Sequence, residues 1–154
     1  VSIVELEPKL QLQALASKNV DAILSLEPLG AIASEKNISK SISDAPFAKY
    51  LIDPFTIAVG VMPSDFVNDN PKKTQKVIKA VNKAIEFIQS NPEESKIIAS
   101  KWTNTPVDTA LKIHLNKFEK LEDFDKKEIQ KTADFYYSIG LLEKKIATIN
   151  ILIT

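Results

Sequence analysis

The chain has no cysteine, one histidine, one tryptophan, one methionine and three glycines in 154 residues. Each scarcity closes a class of chemistry. Without cysteine there are no disulfides and no thiolate metal sites, while the compartment stays open on composition alone. No glycine-rich phosphate loop, nucleophile elbow or zinc-ligand spacing occurs, so the chain carries no visible catalytic machinery and no cofactor or metal motif. Charge of one sign is missing too: twenty basic and twenty acidic side chains cancel, and nucleic acid is not an expected partner. No apolar run approaches the about 20 consecutive residues that a membrane-crossing helix needs. The chain opens at Val1 without a methionine or a signal-peptide pattern, which reads as a mature, trimmed or truncated product.

What is present is an apolar fraction of 44%, enough for an ordinary domain core. Val1 to Leu6 is β-branched and apolar enough for a strand. Glu7-Pro8 opens a helix with proline at its first position, Leu12, Leu15 and Ala16 give it an apolar face, and Ser17-Lys18-Asn19 ends it with asparagine as the left-handed residue. Val20 to Leu26 then reads as a second, buried strand, so the first 26 residues form a strand, helix, strand unit with parallel strands. Pro28 to Lys36 predicts another helix, packed through Ala31, Ile32 and Ala33 and stopped at Asn37. Ile38 and Ile42 suggest at most a weak strand. Phe55 to Met62 is an almost continuous apolar run of the kind buried on both faces, and it predicts a central strand.

Beyond Met62 the pattern turns helical. Asn70-Pro71, Asn91-Pro92 and Thr105-Pro106 each place a side-chain acceptor before a proline, which marks three helix starts. In the first of these helices Val77, Ile78, Val81, Ala84, Ile85 and Ile88 form one apolar stripe, and Lys72, Lys73, Lys76, Lys79 and Lys83 form a solvated face. Asp125 caps a last long helix lined by Ile129, Ala133, Tyr136 and Tyr137, with Gly140 as its closing residue. The tail from Ile146 to Ile153 is apolar enough for a strand. Trp102 is assigned to packing and His114 to the surface or a satisfied structural role.

The best candidate site lies at Ser25, Glu27, Pro28, Leu29 and Gly30. There a predicted strand ends and a helix begins, the place where open α/β sheets bind ligands. Glu27 has two readings: it caps the helix that follows, or with Ser25 and the amides of Leu29 and Gly30 it lines a binding cleft. A carboxylate there repels an anion, so a ligand with a donor group, an amine-bearing heterocycle or a zwitterion, suits it better than nitrate or an alkyl sulfonate. Asp53-Pro54-Phe55 reads as a turn before a strand, with Phe55 as a candidate aromatic wall.

The run Leu10 to Pro28, the segment Pro71 to Val77 with Ala80, Ala84 and Asn91-Pro92-Glu93-Glu94, and Ala133 to Tyr136 with Gly140-Leu141-Leu142 together resemble one family. It is the type 2 periplasmic solute-binding proteins of ABC importers, in their sulfonate, taurine, nitrate and thiamine-precursor (NMT1-like) branch. That resemblance implies an α/β fold: the back half of a two-lobed receptor, mostly parallel sheet with flanking helices, helix-rich toward the C-terminus. Residues 1–52 would end the second lobe, and residues 53–154 would return to the first through a crossing strand. It implies a non-enzymatic, extracytoplasmic protein, periplasmic or a membrane-anchored lipoprotein when full length. Such a protein captures a small organic solute between its lobes and delivers it to a membrane permease. A synthase for the thiamine pyrimidine and a ligand-sensing regulatory domain are the alternatives on that scaffold. A severed sheet edge and an uncovered lobe surface favour association between copies.

Overall fold

Proline sets the helix starts in this chain because its missing N–H costs nothing in a first turn, where that group has no intrahelical partner. The computed structural model describes residues 1–120 and 122–148. Among these residues there are eight helices: α1 Pro8–Ala16, α2 Leu29–Glu35, α3 Pro46–Tyr50, α4 Ser64–Asp69, α5 Pro71–Ser90, α6 Pro92–Thr103, α7 Val107–Lys112 and α8 Lys126–Ser138. Four of them begin on a proline, and α2, α4 and α7 follow one directly. The eighth, α8, is capped by Asp125, whose Oδ1 accepts from the Lys127 amide at 2.9 Å.

Helix ends follow an equally local logic. After α1 the left-handed residue is Lys18 rather than Asn19. The Asn19 amide donates back to the Ala14 carbonyl and that of Lys18 to Leu15, the paired closing bonds that satisfy the last free carbonyls. Asn37 closes α2 and Gly140 closes α8 by the same pair of bonds. The starts after Asn70 and Asn91 fall where expected; α7 begins one residue late, with Pro106 rather than Thr105 at its cap, and Asn91 does not cap α6. Its side-chain amide donates instead to the Phe87 carbonyl, binding it to the end of α5.

The expected α/β fold is overturned, because no described residue is in a strand. Residues 1–6, 20–26 and 55–62 are neither helix nor sheet. Most of their side chains are exposed: Ile3 is 93% exposed, Leu26 65% and Val61 84%. The physical reason is that β-branched, apolar composition states a preference for a pleated, half-buried surface and does not supply one. A strand is completed by a neighbour that takes its N–H and C=O groups, and none of these runs is assigned to a ladder. The weak strand at Ile38 and Ile42 is likewise absent, and residues 149–153 of the proposed terminal strand lie outside the described residues.

The chain divides into two units, Val1–Ile42 with Glu86–Lys117, and Ser43–Ile85 with Phe118–Thr154. In the first, α7 packs on both α6 and α2, around buried Ala31, Ala33, Ser100, Thr105, Thr109 and Ala110. Small side chains dominate this core. In the second, Ile52, Thr74, Ile85, Thr132 and Thr148 are buried, beside a set of rings. Phe55 stacks on Phe47 of α3 at 4.9 Å between centroids and meets Tyr136 of α8 edge-on at 6.4 Å. Gln130 of α8 ties down the chain after it, donating to the Ile146 carbonyl and accepting from the amide and hydroxyl of Thr148. The expected stripe of α5 holds in part: Ile85 is buried and Ile78 and Ile88 are half-buried, whereas Val77, Val81 and Ala84 are exposed; Thr74 is buried too, and the lysines are exposed as anticipated.

Candidate functional site

In the first unit the chain from Val20 reaches α2 through Ser25-Leu26-Glu27-Pro28. Ser25 is half-buried, Leu24 and Leu26 are exposed, and Glu27 is exposed. The Glu27-Pro28 peptide is cis, and α2 begins one residue later. Glu27 Oε2 accepts a hydrogen bond from the Ala31 amide at 3.2 Å, satisfying one of the donors that a helix start leaves free. The capping role is therefore real. The second carboxylate oxygen is not spent on it. Oε1 lies 3.3 Å from the position that a Cβ at Gly30 would take. The absence of that side chain leaves the carboxylate open on its Gly30 side. A helix of seven residues has a modest dipole, and the carboxylate already complements it. The chemistry left for this corner is acceptance of a hydrogen bond from a donor.

Ser25, Glu27, Pro28, Leu29 and Gly30 thus come together at one helix start. Phe55 belongs to the other unit, where its ring is engaged with Phe47 and Tyr136. The Asp53-Pro54 peptide is also cis, and the Asp53 carbonyl accepts from the Lys131 ammonium of α8. Trp102, expected in packing, is 87% exposed on α6, and His114 is exposed as well. Among the described residues no group of three or more histidine or acidic side chains is placed to hold a metal ion.

At the far end of α2 stands a cluster that the sequence reading passed over. Glu35 Oε2 accepts from the Thr109 hydroxyl of α7, and Oε1 takes the Lys112 ammonium at 3.3 Å. The Thr109 bond holds the Glu35 carboxyl below the usual carboxylate range, with Lys112 acting in the same direction and partial burial opposing both. One signal could have found it. An acid in the last turn of a helix sits against the dipole, so it needs a compensating partner.

A family model described as NMT1/THI5 like matches residues 1–95, a stretch that contains every candidate contact. The chain belongs to the NMT1/THI5-like family. No curated protein and no solved structure matches it. As an NMT1/THI5-like chain it carries a periplasmic-binding-protein-like domain. The family consists mostly of binding proteins, with synthases among its THI5 members, and is typically periplasmic. No helix among the described residues of this NMT1/THI5-like chain is long and apolar enough to cross a membrane.

Proposed function

We propose that this chain belongs to the substrate-binding component of an ABC importer, working outside the cytoplasm and passing a small organic solute to a membrane permease. Residues 1–52 belong to one lobe of the receptor and carry the contacts Ser25, Glu27, Pro28, Leu29 and Gly30, and residues 53–154 belong to the other. The observation that supports this reading is the divided use of Glu27: one oxygen holds α2, and the other is left open beside a residue without a side chain. A carboxylate so placed suits a solute that brings a donor, an amine-bearing heterocycle or a zwitterion, over a bare anion.

Titration calorimetry against pyrimidines, amino acids, sulfonates and nitrate tests it. The expected outcome is heat with a donor-bearing solute, and an affinity about tenfold lower in Glu27→Ala, the scale of one charge-assisted hydrogen bond. Heat with none of these classes, or an affinity that Glu27→Ala leaves alone, would sink the assignment. The THI5 synthases of the family support a second reading, an enzyme on the same scaffold. That reading requires a reactive histidine, and a mass spectrum of the protein showing a modified His114 would favour it.

A further inference from the structure

Helix α2 is held at both ends by carboxylates of opposite character. Glu27 at its start bonds within its own helix, whereas Glu35 at its end reaches residues more than seventy positions away, Thr109 and Lys112 of α7. Thr109 is buried at 3% exposure, so its hydroxyl needs the partner that Glu35 provides. The Glu35 side chain is 35% exposed and the Lys112 side chain 59%, so protons from solvent reach the carboxyl directly.

We propose that Glu35, Thr109 and Lys112 form an acid-released latch that holds α2, and with it the Glu27-Pro28 corner, against α7. Ionised, the Glu35 carboxylate accepts from both partners at once. Protonated, it loses its charge attraction to Lys112, and the oxygen that takes the proton, Oε2 toward Thr109 or Oε1 toward Lys112, no longer accepts from the donor it faces. The charges acting on the group are Lys112 from α7 and Lys36 from the end of its own helix. Lys96 of α6, which also packs on α7, is occupied by Glu93 and the Leu111 carbonyl. Because the folded carboxyl titrates below its unfolded counterpart, the latch is fully closed above the usual glutamate range and is lost as pH falls through the lower folded value. Opening would free the candidate contacts from their support. That consequence for solute release rests on the function proposed above, whereas the latch itself does not.

A ligand-free pH titration separates the two. In amide-resolved NMR, Ala33 and Thr109 are expected to share one midpoint below the usual glutamate range, with exchange protection of α2 falling several-fold across it while Lys79 to Ala84 of α5 keep theirs. In Glu35→Gln the shared midpoint should vanish. In Thr109→Val, nearly isosteric, α2 should already be less protected at neutral pH. A midpoint that persists in Glu35→Gln, or native protection of α2 in Thr109→Val, overturns the latch whatever the calorimetry finds. Should Glu35→Gln not fold, Thr109→Val and Lys112→Met decide the matter by the same protection measurement.

Discussion

Glu27-Pro28 and Asp53-Pro54 are the same kind of step, an acid before a cis proline at the edge of an apolar run, and the protein uses them in opposite ways. At the first, the side chain does the work: the Glu27 carboxylate caps α2 and keeps an oxygen in reserve. At the second, the backbone does it: the Asp53 carbonyl receives Lys131, and the ring two residues on enters the stack with Phe47 and Tyr136. An acid–proline pair therefore fixes a corner without fixing which of its atoms matter. That is decided by what stands across from it, a free helix amide in one case and a lysine with a group of rings in the other.

The comparison can be broken most forcefully at Phe55. Phe55→Ala removes a half-buried ring from two aromatic contacts and is expected to destabilise the second unit by about 2–3 kcal/mol, read as a lower urea midpoint. Paired acid truncations sharpen it. Glu27→Ala should cost about 0.5–2 kcal/mol through the lost helix cap, while Asp53→Ala should stay within about 0.5 kcal/mol because its carbonyl survives the change. Equal costs in the same melting experiment would show that the two steps are not used differently. The smallest effect is expected at Gly30. Gly30→Ala gains helix propensity of up to about 1 kcal/mol, offset in part by pushing away the Glu27 carboxylate end 3.3 Å from the new Cβ. Its melting temperature should hold or rise slightly while any solute affinity falls, and an unchanged affinity would remove Gly30 from the site.

The helices were legible in the residues, and the sheet expected beside them is absent among the described residues. Pro8, Pro71 and Pro92 mark starts because the first-turn amide they lack has no partner in any helix, and Gly140 marks an end because its φ of 78° suits glycine. These are local constraints. The short α3 had its signal in Pro46 and was passed over inside a mixed link. Lys18 took the left-handed position ahead of Asn19 because helix phase, not residue preference, chose where the turn closed. The runs at residues 20–26 and 55–62 carry only half of a sheet's requirement, since pairing partners are a non-local property. For the candidate site, Ser25 to Gly30 was visible as an acid at a helix start. The division of labour between the two oxygens of Glu27 depends on the direction of a side chain, and the tie from Glu35 to Thr109 spans 74 residues, so no short motif encodes either.

The first unit's core of alanines, threonines and serines has a thermal consequence. Heat-capacity change on unfolding scales with the apolar surface that becomes wet, and polar surface subtracts from it. A core built from Ala31, Ala33 and Ala110 with the hydroxyls of Ser100, Thr105 and Thr109 exposes little hydrocarbon when it opens. The stability of that unit should vary only gently with temperature, shallow at its maximum and slow to decline on either side.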